Sequence, residues 1–345
     1  MNRTDVTRQG LQHARPGREA LTGAAGTGAT TSRRRAGEQP MVPDAAFGSY
    51  YGKPIINRPV WQSPDIPGYL FAGGLAGAAS LLGAGAAVTG RPVLARVAKL
   101  GALAAAGLGG VGLVHDLGRP SRFLNMLRVL KPTSPMSVGS WILSFYGAAA
   151  TAAAGAELTG RFPRLGTAAT FASAAAGPLL ASYTAALVAD TAVPAWHDGY
   201  REMPFVFVSS AATAAGGLGL LGAPLHENSP ARRLAVVGAV GELVAAKLME
   251  RRMGLSAEPY HQGFAGTCRR AGEALTAVGL VAAVVGGRRH RLAAAVSGAA
   301  LMAASAFTRW GIFHAGLQSA DDPKYTVVPQ RRRLQAAASA ATPAG

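Results

Sequence analysis

The polar residues best suited to chemistry lie in one stretch, His115–Trp141, between two long apolar segments. Its sequence, HDLGRPSRFLNMLRVLKPTSPMSVGSW, begins with a histidine next to an aspartate. Histidine readily exchanges protons near neutral pH, and we expect Asp116 to pair with Arg119 or Arg122. This composition predicts a polar surface at the border of the apolar segments.

Two further acids interrupt the apolar segments. Asp190 closes one segment about two turns after Tyr183 and could either cap the turn or take part in a proton path. Glu242 lies near the middle of another segment, so we expect it to face the protein interior and to be protonated or paired. An interhelical structural bond is the alternative for Glu242. The sequence therefore offers four candidates for a proton relay: His115, Asp116, Asp190 and Glu242.

The composition indicates a membrane protein. Of the 345 residues, 49% are hydrophobic and only 15% are charged, well below the roughly 25% of soluble proteins. The charges cluster at the borders of apolar blocks, which is typical of membrane proteins. A net charge of +17 could indicate nucleic-acid binding, but no basic and aromatic module of that kind is present. We therefore expect the lipid bilayer, and no nucleic acid, as a partner.

Eight apolar segments, most of them 18–24 residues long, predict transmembrane helices. Backbone groups in lipid must be satisfied within the protein, and the short alternating segments of a β-barrel are absent. The predicted fold class is an all-α integral membrane bundle of eight transmembrane helices. The predicted spans are 68–89, 95–115, 137–158, 166–189, 204–223, 231–249, 271–287 and 291–314.

A short interfacial helix is predicted between spans two and three. Pro120 suits its first turn. Phe123, Leu124, Leu127 and Leu130 share one side of it, and Arg122, Asn125 and Arg128 favour the other. The arginines could either bind lipid phosphates or form a docking surface for a partner protein, and we expect both. Ser134 and Pro135 look like the cap and first-turn proline of span three.

The ends of the chain differ in composition from the apolar centre. Residues 1–40 are rich in Arg and predict a disordered tail, with Met41 as a possible start of translation. Residues 41–333 form the predicted membrane domain, and residues 334–345 a disordered C-terminal tail. Eight spans place both termini on the same side. The excess of Lys and Arg on that side predicts that it is cytoplasmic, in a multi-pass protein of the cell membrane.

Several redox centres are excluded within this chain. Cys268 is the only cysteine, so the chain cannot hold an iron–sulfur cluster or a closed zinc site. A membrane b-haem needs two facing histidines at similar depth, but every histidine lies at a span end, in a loop or in the tail. We therefore predict no haem, no iron–sulfur cluster and no metal site here.

The motifs resemble those of the polysulfide reductase membrane-subunit family, also called NrfD-like. The resemblance covers about residues 41–333. It rests on YYGKPIINRPVW, DIPGYLFAGGLAGAASLL, ADTAVPAWHDGYREMPFVFVSSA and DPKYTVVPQRRR, and most specifically on HDLGRP, RFLNML, KPTSPMS and GSW in the polar stretch.

The resemblance implies a membrane subunit of an oxidoreductase complex in anaerobic respiration, of the polysulfide reductase or formate dehydrogenase type. Such a subunit docks a ferredoxin-like iron–sulfur subunit, which connects to a molybdopterin catalytic subunit, and it binds menaquinone. The expected quinone-binding residues are Asp65, Tyr69, His115, Arg119 and Tyr183. The expected partner-docking residues are Arg122, Asn125, Arg128, Lys131, Trp196 and Tyr325.

Two other functions remain open at the level of sequence. The chain could be a passive membrane anchor for the same partners, without quinone chemistry. It could also be a transporter, although its polar groups collect at one face and no repeated pair of broken helices is visible.

Overall fold

The computed structural model describes residues 55–341, and all regular secondary structure within that range is helical. The predicted tail at residues 1–40 lies outside the described residues. The first two long helices are α1 (Asp65–Val88) and α2 (Pro92–Asp116). Gly90, with a φ of 68°, allows the tight turn between them, and Pro92 begins α2 at a position where its missing N–H costs nothing.

The next part of the chain alternates short and long helices. The five-residue helix α3 (Arg122–Met126) precedes α4 (Pro135–Thr159) and α5 (Pro163–Ala189). Ser134 accepts a hydrogen bond from the Ser137 amide and Pro135 is the first helical residue, which confirms the predicted start of α4. The short α6 (Pro194–His197) then leads into α7 (Met203–Gly222).

The last part contains three long helices and a basic C-terminal helix. After α8 (Ser229–Met253), a 3-10 helix (Gly254–His261) turns the chain into α9 (Gly263–Val285). Helices α10 (Arg291–Asp321) and α11 (Lys324–Ala341) follow. We predicted a disordered tail from residue 334, but α11 includes residues 334–341, because QAAASAA contains strong helix formers. Residues 342–345 lie outside the described range.

Each of the eight predicted spans contains a long helix, but not all of these helices are equally apolar. Five are long and apolar enough to cross a membrane: α1, α2, α5, α7 and α10. Helices α8 and α9 carry several charged side chains, and α4 is built largely of Ala, Gly and Ser. The described part of the chain is thus a helical membrane protein with five clear candidate spans.

Two helix ends differ from the sequence prediction. Helix α9 begins at Gly263, eight residues before the predicted span, because Arg269 and Arg270 continue a helix as well as they flank a membrane. Helix α10 continues to Asp321, seven residues beyond the predicted end. Residues of α10 that the sequence placed near a border therefore lie well inside the helix.

Side-chain contacts define the two ends of the bundle. At one end, called end A, His115 of α2 binds Asp65 of α1, and Arg252 of α8 binds Glu202 at the start of α7. The opposite end, called end B, is held by several bonds between loops and helix starts. They join Leu94 to Glu227, Arg96 to Glu157, and Asn228 to Gly287.

Helix α1 lies at the centre and packs against α2, α5 and α7. Small residues allow its close approach to α5. At Gly77, an added Cβ would overlap the carbonyl oxygen of Gly177, so backbone meets backbone at this crossing. The tight contact fixes α1 and α5, which both carry candidate residues towards end A.

Candidate functional site

Three acidic and basic side chains meet at end A, where α1 begins and α2 ends. His115 Nδ1 and Asp65 Oδ2 are 2.6 Å apart. The helices can approach this closely because Gly112 has no side chain, and a Cβ there would lie 3.1 Å from the Asp65 carbonyl oxygen. The structure thus brings Asp65 and His115 together although 50 residues separate them in the sequence.

Asp116 faces the segment that leads into α1. The Gln62 backbone amide donates a hydrogen bond of 2.9 Å to Asp116 Oδ1. Arg122, which we expected as a possible partner of Asp116, instead donates to the Leu117 carbonyl at 2.8 Å. The backbone of the segment before α1 therefore orients the Asp116 carboxylate.

A small cavity of about 90 Å³ lies behind these residues, and it brings together three of the predicted site residues: Tyr69, Asp116 and Tyr183. Among the described residues, neither tyrosine hydroxyl has a hydrogen-bond partner. Gly139 of α4 makes room for Tyr183, because a Cβ there would lie 2.6 Å from Cδ2 of its ring. The cavity thus presents two hydroxyls and a carboxylate to any ligand that enters.

A larger groove of about 620 Å³ runs between α2 and α4 and shares Leu143 with the small cavity. His115 lies at one end of the groove, and Leu103 and Thr151 lie towards the other. Twelve residues of α2 separate His115 from Leu103, a length of about 18 Å. The lining is mostly apolar, so the groove suits an extended hydrocarbon chain whose polar head lies near His115.

A second groove, of about 380 Å³, lies on the other side of α2. It is lined by Asp65 and Tyr69 and shares Val111 with the first groove. The side chain of His115 is 58% exposed. The Asp65–His115 pair is therefore reachable from outside the bundle.

The predicted docking residues divide into two groups. Asn125, Arg128 and Lys131 are exposed beside α3, and Arg122 is half-buried. Their role in docking stays a prediction. Two others require correction, because they are buried and offer no side-chain surface to a partner.

Trp196 is fully buried and packs between Trp61 and Phe313, with the rings tilted to one another. Its indole N–H donates to the Ile312 carbonyl at 2.8 Å. Tyr325 is only 3% exposed and lies against Glu258. Both residues lie in segments that carry the family resemblance, and their docking role was what that resemblance implied. It could not show that α10 and the 3-10 helix cover them.

The other proton-relay candidates lie apart from this site. Asp190 is exposed at the end of α5 and is not among the residues that line the three cavities around His115. Glu242 is buried in α8, next to Arg309 of α10. The arrangement therefore separates the His115 cluster at end A from two buried residues between α8 and α10, Glu242 and Arg309.

Arg309 is the charged residue whose position the sequence prediction missed. Because α10 is longer than predicted, Arg309 is well inside the helix and only 1% exposed. Its Nη2 donates to the Phe207 carbonyl at 2.6 Å, and the guanidinium lies 3.7 Å from the centre of the Phe207 ring. In the sequence, the mid-span acid Glu242 indicated that a basic residue would be buried nearby, since a buried acid needs an opposite charge close to it.

A charged network closes end A on the far side of α7. Arg252 binds the Glu202 carboxylate through Nε at 2.7 Å and also donates to the Asp198 carbonyl at 2.6 Å. The hydrogen bond from Arg252 holds the pKa of Glu202 below its usual range. The network ties α8 to the start of α7.

No group of three or more metal-ligating side chains occurs within residues 55–341. Cys268 is buried in α9. The polar groups near His115 suit hydrogen bonding and proton transfer to an organic ligand.

The family model "Polysulphide reductase, NrfD" matches residues 54–227, about half of the chain. The matched segment contains α1 to α7 and all the residues that surround the cavities near His115. Glu242 and Arg309 lie beyond it. No curated protein matches the chain.

Proposed function

Because the chain belongs to the polysulphide reductase NrfD family, we propose that it is the membrane-anchoring, quinone-interacting subunit of a multi-subunit oxidoreductase. It passes electrons between a ferredoxin-like iron–sulfur subunit and menaquinone. A molybdopterin enzyme is the catalytic subunit of the same complex.

One observation carries this proposal: Tyr69, Asp116 and Tyr183 line a single cavity that adjoins the His115 groove. Quinone oxygens accept hydrogen bonds, and the two tyrosine hydroxyls are free to donate them. The apolar groove suits the isoprenoid tail. The residues present therefore fit an isoprenoid quinone, which supplies coupled electron and proton transfer when bound.

The residues of this chain orient the ligand and handle its protons. Tyr69 and Tyr183 position the quinone head by hydrogen bonds. His115 holds a proton between Nδ1 and Asp65, which leaves its other ring nitrogen to exchange a proton with the ligand. Asp116, held by the Gln62 amide, provides a second proton-accepting group at the same end.

Electrons arrive at end A, where the partner docks. Asn125, Arg128 and Lys131 are exposed there, directly after the His115 cluster in the chain. Arginine and lysine at this surface attract an acidic partner and also anchor lipid phosphates. We place the iron–sulfur subunit over these residues, because electron transfer needs its cluster close to the quinone.

The proposed membrane arrangement includes eight spans, with α4, α8 and α9 completing the five clear ones. Each of these three helices is 23–25 residues long, enough to cross the hydrocarbon core. Helix α3 then lies at the membrane interface, where Leu124 is exposed to lipid. Both termini lie on the side of end A, which the positive charges assign to the cytoplasm.

The test uses the intact complex, purified from membranes with its subunits identified by mass spectrometry. Tyr183→Phe and Asp116→Asn should lower quinone turnover while the complex stays assembled and the catalytic subunit keeps its activity with a soluble electron carrier. Tyr200→Phe is the matched control, because Tyr200 is an exposed tyrosine at end A outside the cavity. Full quinone turnover in both site variants would instead favour a passive anchor.

A further inference from the structure

A separate cavity of about 340 Å³ lies between α8 and α9, with α10 behind it. Helix α8 packs mainly on α7 and α9 mainly on α10, which leaves this space between them. Its polar lining runs from the middle of the helices to end A: Glu242, Thr276 and Thr308 at the inner part, and Glu250, Tyr260 and Arg269 towards end A.

Glu242 forms the inner part of this cavity. It is only 5% exposed, and its Oε2 has no hydrogen-bond partner among the described residues. The hydroxyls of Thr308, Ser210 and Thr213 surround the carboxyl group. Burial of a carboxyl group in this interior favours its uncharged, protonated form, because the charged form loses its hydration.

Arg309 favours the opposite, ionised state of the Glu242 carboxyl group. Its Nε and Nη1 have no hydrogen-bond partner among the described residues, and its charge acts on Glu242. A guanidinium stays protonated in proteins, so Arg309 stabilises the ionised form of Glu242. Burial favours the protonated form of Glu242, and Arg309 favours the ionised form, so Glu242 can adopt both protonation states. A fixed positive charge also disfavours a metal cation here, whereas a proton neutralises the carboxylate.

The other charged groups around the cavity lie nearer to end A. Lys247 and Glu250 come from α8, and Glu250 lies 3.4 Å from His261. Arg269 and Glu273 come from α9 and form an ion pair with each other. Helix α7 contributes hydroxyls but no charge to this set. The lining therefore changes from several charged groups at end A to one buried acid inside.

We propose that this cavity is a hydrated half-channel through which Glu242 exchanges protons with the solution at end A. In the uptake step, a hydronium ion loses a proton to the Glu242 carboxylate, which forms an O–H bond and leaves water. The reverse step releases the proton. Apart from the α7 residues Val206, Ser210 and Thr213, this site lies beyond the segment that the family model matches. It does not depend on the quinone chemistry proposed above.

Cysteine accessibility tests the water path in the full-length protein in sealed membranes, with Cys268 replaced by Ala. Thr276 lines the cavity, whereas Val278, two residues further along α9, does not line it and is 53% exposed. Cysteine is placed at each position, and we expect the one at 278 to face lipid. Asn125→Cys and His290→Cys mark end A and end B. A charged, membrane-impermeant thiosulfonate should modify Thr276→Cys at least about tenfold faster than Val278→Cys, because only a hydrated thiol ionises readily.

The modification should occur from the side on which Asn125→Cys reacts. Equal, slow reaction of Thr276→Cys and Val278→Cys, or reaction only with a lipid-soluble reagent, would mean that the cavity is dry. Reaction from the His290→Cys side would overturn the assignment to end A.

Infrared spectroscopy tests the proton-binding group itself. The protein should show a pH-dependent band of a protonated carboxylic acid that is lost in Glu242→Gln and shifts rapidly in heavy water. Glu157→Gln, which removes an acid paired with Lys99 at end B, should leave the band unchanged. If no band at any pH depends on Glu242, its carboxylate is permanently ionised and the proposal is wrong.

Discussion

A single methyl group at Gly139 should displace Tyr183 from the proposed quinone cavity. In Gly139→Ala, the new Cβ would lie 2.6 Å from Cδ2 and 2.8 Å from Cζ of the Tyr183 ring. Real Cβ contacts of this kind do not occur, so one group must move. Tyr183 is only half-buried and forms no hydrogen bond with a described residue, so we expect its ring to swing out while the helices remain in place.

Two costs set the expected loss of quinone affinity and of stability in Gly139→Ala. Overpacking costs about 1–3 kcal/mol when it is relieved by movement of a side chain. Removing a hydrogen bond to a buried polar group costs about 1–3 kcal/mol, which corresponds to a roughly five- to 150-fold loss of affinity. Gly139→Ala should therefore raise the quinone KM by an amount in this range and lower the melting temperature modestly.

The assay compares quinone turnover of the assembled complex in Gly139→Ala, Tyr183→Phe and the double variant. Both single changes remove the same hydrogen bond, so the double variant should be little worse than Gly139→Ala alone. Gly155→Ala is the control, because the same helix has nothing within 4 Å of a Cβ there. Normal turnover in Gly139→Ala, or fully additive losses, would refute the role given to Tyr183.

Three further predictions concern the framework that holds the site. Glu227→Ala should lower the free energy of unfolding by about 1 kcal/mol, since Glu227 Oε2 accepts the Leu94 amide and caps α2; an unchanged chemical denaturation curve would contradict this. Gly77→Ala should prevent the close approach of α1 and α5 and cost at least about 1–3 kcal/mol, whereas Gly85→Ala, with nothing within 4 Å, should not. Because the folded-state pKa of Glu202 is lowered, its stabilising effect is full above its unfolded pKa of about 4.3 and is lost as the pH falls through the lower folded value. The difference in melting temperature between the wild type and Glu202→Gln should therefore shrink in acid, and a pH-independent difference would count against the pair.

The sequence predicted the helical class and the positions of the long helices from α1 to α10, because apolar length is a local property, but it missed α11. It also selected Asp65, Tyr69, His115, Asp116 and Tyr183, which the structure gathers at end A. It did not reveal that Asp65 binds His115, since that contact depends on how α1 and α2 cross at Gly112.

The errors have the same origin in tertiary structure. Trp196 looked like a docking residue, but the packing of α10 against it buries its ring completely. The predicted end of the last span at residue 314 placed Arg309 near the membrane border, but α10 continues for seven more residues. Helix ends beyond the apolar core depend on helix propensity and on contacts, and neither is visible in a hydrophobic pattern.

Photoaffinity labelling with a photoreactive menaquinone analogue tests the central claim most directly. In the intact complex, we predict that label is recovered on residues that line the cavity and groove at end A, including Tyr69, Met126, Met136 and Tyr183, and that unlabelled menaquinone competes for it. The Gly139→Ala variant should lose most of this label. Labelling spread over the lipid-facing helices, with no competition by menaquinone, would contradict a quinone site in this chain.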